Sequence, residues 1–201
     1  MNLYRILEIP AIYRTAQLVF APGMDCIVTA LLSRTFARIP TPATILDVGC
    51  GPSSWLWKIG MKPVGLDLCH AYTKKLREAG NLSVTASAAI LPFRADSFDL
   101  VFSFALLHHL PETMARETIG EIIRVTRAGG HVVLWDPVLP KAAWRRPQAW
   151  LLGKLDRGGF IQPQETYESC ILRRTTEWKT LRFTHSYLGT EGVLSVLQKA
   201  G

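Results

Sequence analysis

The sequence predicts an α/β fold: a doubly wound, mostly parallel sheet that closes with an antiparallel hairpin. Three observations carry this. From Thr44 onward, apolar stretches of strand length alternate with helical stretches, the pattern of parallel strands joined by crossover helices. Ile45-Leu-Asp-Val-Gly-Cys-Gly-Pro-Ser53 reads as a buried strand running into a glycine turn that opens a helix. Near the end, Glu177 to Tyr187 and Gly192 to Lys199 read as two strands, with Leu188-Gly-Thr-Glu-Gly192 as the loop of a hairpin.

Taken in order, residues 3–20 place Leu3, Leu7, Ala11 and Leu18 at near-helical intervals, interrupted by Pro10. Ala21-Pro-Gly23 punctuates, and Asp25 is suited to cap a helix reaching about Ala37, which Ile39-Pro-Thr-Pro42 stops. Strands follow at about 44–48, 63–67, 82–85, 98–103 and 131–136, with helices near 53–59, 70–79, 88–90 and 111–127. Ala128-Gly-Gly130 ends the long helix, whose last turns carry Arg124 and Arg127, where cations suit the helix dipole. Residues 138–177 are broken by Pro140, Pro147 and Pro163; Ala142 to Leu155 can hold a short helix on either side of Pro147, read as an amphipathic covering segment. The whole is expected to be one domain over 1–201, with a helical lid at 1–42, a cofactor-binding core at 43–137, and an acceptor-side segment with the final strands at 138–201.

The first strand and turn, followed by Val64-Gly-Leu-Asp67, are what a nucleoside ligand asks for. Glycines let the backbone come close, and a carboxylate about 20 positions on accepts hydrogen bonds from ribose hydroxyls; Asp67 lies 20 residues after Asp47. The third glycine of a dinucleotide site is replaced by Ser53, which counts against a pyrophosphate and NAD. Asp99, at the start of a strand, reads as structural.

Further segments extend the match. Leu91-Pro-Phe93 followed by Ser97-Phe-Asp-Leu-Val-Phe102, then Leu107-His-His-Leu110, then Arg124-Val-Thr-Arg-Ala-Gly-Gly-His-Val-Val133 stand in order behind the first two motifs. Together they resemble the class I S-adenosylmethionine-dependent methyltransferases of the small-molecule type. The resemblance covers most of the chain and is strongest from Ile45 to Pro137. It implies a Rossmann-like sheet of seven strands and S-adenosyl-L-methionine as cofactor, leaving S-adenosyl-L-homocysteine. It also implies roles: Asp47, Gly49 and Gly51, with Cys50 between them, line the methionine end. Asp67 holds the ribose, with Leu68 beside it; Ser87 and Ala88 flank adenine; and Phe104 closes the site. Ser87 stands where the family often has an acidic residue, a neutral acceptor in place of a charged one. His109, ahead of His108, is the candidate general base, and Tyr4 and Tyr13 on the lid are candidate substrate contacts.

Charge and cysteine usage bound the rest. The net charge of +7 is concentrated late: residues 47–137 balance at nine cations and nine acids, while residues 138–201 carry +5. Arg145-Arg146 and Arg173-Arg174 are isolated pairs without a nucleic-acid motif, and the Asn/Asp-Pro-Pro-Tyr motif of base amino methylation is absent after the fourth strand. A small, apolar methyl acceptor is therefore expected, and nucleic acid is not. The charge allows contact with a membrane surface, through Lys141 to Leu152, but does not lead one to expect it. Cys26, Cys50, Cys69 and Cys170 share no metal-ligand spacing, so free thiols and no metal site are expected. No apolar run reaches a membrane span and the N-terminus makes a poor secretory signal, so the expected compartment is cytoplasmic. The competing reading is a cofactor-binding partner protein without transfer activity, motivated by Ser53 and Ser87.

Overall fold

Strand order follows burial. In this computed structural model, which describes residues 21–156, 159–172 and 177–201, the inner strands of the sheet are the buried ones and the two edge strands are the more exposed ones. Strand β1 (Ile45–Val48) is buried at all four positions. It pairs in parallel with β2 (Val64–Asp67), Leu46 opposite Val64, and with β4 (Phe98–Phe104), Leu46 opposite Val101. β3 (Ser83–Thr85) adds to β2, and β5 (Thr126–Val138) adds to β4. The last two strands, β6 (Lys179–Thr184) and β7 (Glu191–Gln198), pair antiparallel, and β7 lies antiparallel against β5. The seven-stranded order is β3-β2-β1-β4-β5-β7-β6, mostly parallel with the antiparallel final strands that the sequence reading expects. That order reverses between β1 and β4, and the crevice at their carboxyl ends is where ligands bind such sheets.

Side chains alternate across the sheet and build two cores. On one face Val101, Val132 and Leu134 pack with Ile119 and Ile122 of α3 (Glu112–Val125) and Ile171 of α5 (Gln164–Leu172). On the other, Leu100, Phe102, Val133 and Trp135 pack with Val28, Leu32 and Phe36 of α1 (Met24–Phe36) and with Leu56. The short α2 (His70–Glu78) covers β2 and β3 with Thr73 and Leu76 inward. A Cβ on Gly192 of β7 would lie 2.8 Å from the Trp135 ring, so only glycine admits that indole.

Several expectations are corrected in detail. Asp25 does not cap α1: Gly23, at φ 82°, holds that position, and Asp25 sits in the first turn paired with Lys58. Residues 55–59 form a 3₁₀ turn capped by Ser54, and 88–90 form a turn rather than a helix. Strand β5 begins at Thr126, not at 131, because Thr126 pairs with Phe98 across a register shift and carries the two glycines into the strand. Pro147 starts α4 (Pro147–Lys154) at its first position, where its missing N–H costs nothing, after a 3₁₀ turn at Ala143–Arg145. Helix α5, directly after Pro163, was not expected. All four cysteines are free thiols, and among the described residues no helix is long and apolar enough to cross a membrane. The expected lid helix over 3–20, with Tyr4 and Tyr13, lies outside the described residues.

Asp99 is structural, as expected. One carboxylate oxygen accepts from the Ala43 and Thr44 N–H groups and the Thr44 hydroxyl at 2.8–3.0 Å, and the other accepts from Arg127 at 2.7 Å. Partial desolvation pushes its pKa up, but the Thr44 and Arg127 hydrogen bonds outweigh this and hold it below 3.8. A lowered folded-state pKa contributes stability that is complete above the unfolded value and lost as pH falls below it. Asp99→Ala is expected to cost about 2 kcal/mol at neutral pH and clearly less at an acid pH below the folded-state pKa, read by urea unfolding at the two pH values. An equal loss at both would contradict the assignment.

Candidate functional site

The crevice at the carboxyl ends of β1, β2 and β4 gathers the cofactor candidates. Gly49 and Gly51 take positive φ angles of 74° and 60°, so the turn after β1 needs glycine at both positions. A Cβ on Gly51 would meet nothing within 4 Å, which leaves that side of the turn open to a ligand. Asp67, at the end of β2, ties the turn together: one oxygen accepts from the Gly51 N–H (2.9 Å) and the other from the Cys69 N–H (2.8 Å). Each oxygen keeps a lone pair for a ribose hydroxyl. Asp67 is thus both a framework residue and a candidate ligand contact, and Asp67→Ala would report on both at once.

Asp47 differs. It is buried, and its Oδ1 has no hydrogen-bond partner among the described residues. Burial pushes its pKa up to about 7; the Ser54 hydroxyl works against the shift and the Asp67 charge adds to it. A buried carboxylate with an orphaned oxygen beside an open glycine turn suits a cation. The ammonium at the methionine end of S-adenosylmethionine supplies one, so the residues present fit that cofactor. Burial likewise pushes the Cys50 thiol up, and leaves it an inert packing residue.

On the far side of the crevice the Ser87 hydroxyl accepts from the Ala89 N–H (3.3 Å), and Ala88 is half-buried against the core. Leu68 and Ile90, on the loops that follow β2 and β3, are 73% and 76% exposed. Two aliphatic side chains left in solvent at neighbouring strand ends can flank a flat base. Ile90 was missed in the sequence, where its signal was an apolar residue in a turn that no core can use.

Beyond β4 the backbone is strained. Ala105 takes φ 54°, uncommon for a residue with a Cβ, and its N–H donates to the Trp135 carbonyl (2.7 Å). Phe104 is held in an aromatic column, stacked on Trp135 (4.2 Å) and on Trp55 (4.6 Å). Trp135 meets the ring of His185 edge-on at 5.0 Å. Burial pushes the His185 pKa down to about 4, so it is neutral. Neither Trp55 nor Trp135 was singled out from sequence.

The turn at Ala105 delivers a 3₁₀ turn, Leu107–His109. Asp136, 1% exposed at the end of β5, organises it. Its carboxylate accepts from the N–H groups of Leu107 (3.1 Å) and His108 (3.0 Å) and lies 2.8 Å from His108 Nδ1. With Nδ1–H donating to Asp136, the other ring nitrogen is left as an acceptor. That nitrogen, Nε2, lies 3.5 Å from the Asp156 carboxylate. His108 is buried and His109 is exposed, with ring centres 4.0 Å apart. A cavity beside His108 is walled by Leu107, Leu110, Pro137 and Phe160, by the polar Glu112 and Gln162, and by Tyr167, whose hydroxyl donates to Ser195 (3.1 Å). Ligand atoms of His108, His109 and Asp156 lie within 4.8 Å of one another and could hold a metal ion, a grouping that sequence spacing did not reveal. Asp136 was also missed; its signal was a carboxylate closing a parallel strand.

Comparison with known proteins gives the family and the fold. The family model described as "Methyltransferase domain" matches residues 46–134. A protein of Encephalitozoon cuniculi (strain GB-M1), named as a methyltransferase, is 31% identical over 159 residues, 78% of this chain and 69% of the relative. The tRNA (carboxymethyluridine(34)-5-O)-methyltransferase of Arabidopsis thaliana is 35% identical over 101 residues, 48% of this chain. The alignment spans only 24% of that longer relative. Among solved structures, a chain from the complex between the Haloferax volcanii Trm112 methyltransferase activator and a methyltransferase superposes with a TM-score of 0.71 at 13% identity. Each chain is covered almost fully, 100% of this one and 99% of the other, which shows a shared fold.

One expectation is overturned. Nucleic acid was not expected as a partner, yet the plant relative and two others are named for tRNA. The missing Asn/Asp-Pro-Pro-Tyr motif reports on methylation of base amino groups; it says nothing about an oxygen carried on a uridine side arm.

Proposed function

The chain belongs to the class I S-adenosylmethionine-dependent methyltransferases, and on that premise we propose that it methylates an oxygen nucleophile seated in the cavity beside His108. The cofactor, when bound, supplies a methyl group on a sulfonium sulfur, already a strong electrophile. Asp47 balances its ammonium and Asp67 takes its ribose hydroxyls. The strained turn at Ala105 sets Leu107–His109 at the crevice. His108, fixed by Asp136, takes the acceptor proton on Nε2, and Asp156 steadies the imidazolium that results. Leu107, Leu110, Pro137 and Phe160 keep water from the reacting oxygen.

The observation that carries this reading is the Asp136–His108 pair, buried at the end of adjacent parallel strands and opening on a cavity. Its walls set apolar side chains beside Glu112, Gln162 and the His108–Asp136 pair, which suits a compact acceptor with an apolar body and a polar group. A nucleoside oxygen in RNA is the second reading, favoured by the tRNA methyltransferases among the relatives. Incubation with methyl-tritiated cofactor, supplied once with an organic-soluble cell fraction and once with total tRNA, separates them. Label is expected in the organic-soluble fraction. Label in tRNA would install the second reading, and label in neither would leave a cofactor-binding protein without transfer activity.

A further inference from the structure

We propose that the strip from Lys141 to Phe160 docks the protein on an anionic membrane surface. The amphipathic covering helix expected here does not cover: of α4 only Ala149 is buried, while Trp150 and Leu151 face outward with Leu155 just beyond the helix. Trp144, on the preceding 3₁₀ turn, is 77% exposed and Leu155 is 72% exposed. A soluble surface seldom gathers so many large apolar side chains in one short stretch.

The charge selects the occupant. Lys141 to Phe160 holds five cations against one acid, Asp156. Arg146 is spent on Glu191, but Lys141, Arg145 and Lys154 are exposed and pair with no carboxylate among the described residues. A second copy of the chain would bring like charge to like charge. Unpaired RNA bases would compete for the indole faces with the cations beside them: the Arg145 guanidinium lies 4.6 Å from the Trp144 ring centre and the Lys154 ammonium 5.9 Å from that of Trp150. Leu151 and Leu155 offer no π face at all. Tryptophan and leucine flanked by lysine and arginine is the composition that sits at the boundary of headgroups and acyl chains. The strip also reaches the cavity: Phe160 lines it, is 42% exposed, and donates its N–H to the His108 carbonyl (3.3 Å). Docking there would turn the cavity mouth towards the bilayer.

The test is flotation of the full chain with vesicles of phosphatidylcholine alone or mixed with phosphatidylglycerol, beside Trp150→Glu/Leu151→Glu and Lys141→Gln/Arg145→Gln/Lys154→Gln. Three cations near such a surface predict roughly a hundredfold preference for the anionic vesicles. The charge variant should lose that preference, and the apolar variant should lose partitioning about tenfold or more. Retained binding of S-adenosylhomocysteine shows that the variants fold. No partitioning, equal partitioning into both vesicles, or variants that behave as wild type would overturn the proposal. So would binding of tRNA, without vesicle binding, that the charge variant abolishes.

Discussion

Replacing His108 by asparagine is expected to lower methyl transfer by about 10²–10⁴-fold while cofactor affinity changes by no more than about threefold. Asparagine is the informative choice. Its amide N–H can still donate to Asp136, which also holds the backbone of Leu107 and His108, so the 3₁₀ turn keeps its anchor. What disappears is the ring nitrogen Nε2, which lies 3.5 Å from the Asp156 carboxylate. His109→Asn supplies the contrast: its ring is exposed, and its loss should cost less than about fivefold. Single-turnover rates with saturating cofactor read the chemical step directly. Transfer by His108→Asn within about threefold of wild type would show that positioning alone drives the reaction.

Asp47→Asn is expected to weaken S-adenosylhomocysteine binding about 30-fold or more, the cost of removing one member of a buried charge pair. The same change should leave the unliganded protein as stable or more stable above pH 7. The sign follows from linkage. With a folded-state pKa near 7 against an ordinary value of 3.8, folded Asp47 keeps a proton that the unfolded chain has released. Stability therefore falls as pH rises from about 4 to about 7, by up to about 1.4 kcal/mol per pH unit, and levels off above. The asparagine variant lacks that slope, which denaturant unfolding at several pH values would reveal. A binding site that carries an uncompensated charge is less stable empty than it could be.

What could be read from the sequence divides along physical lines. The turn after β1 and the carboxylate of Asp67 were legible because their meaning is local: glycine conformations and a fixed spacing within one βαβ unit. The parallel core of the sheet and its antiparallel end were legible from alternation and from the final hairpin. Asp136 and Trp135 were not, because their roles arise from the register of β5 beside β4, which places Trp135 opposite Phe104. His108 and His109 are neighbours of one residue type; only the geometry of the 3₁₀ turn decides which faces Asp136. The outward face of α4 was hidden for the opposite reason. Trp150, Leu151 and Leu155 have the pattern of core residues, and pattern does not say whether anything lies against them. Helix α5 lacks a strong apolar period, and Pro163 reads more readily as a breaker than as the residue before a helix start.

The most direct measurement is calorimetric titration of S-adenosylhomocysteine into the wild-type protein and into Asp47→Asn at pH 7.5, with NADH as control. The account predicts micromolar binding to the wild type, a dissociation constant raised about 30-fold or more in the variant, and no heat from NADH. Equal affinity in the two proteins would contradict the placement of the cofactor ammonium at Asp47, and absence of binding to the wild type would contradict the site itself.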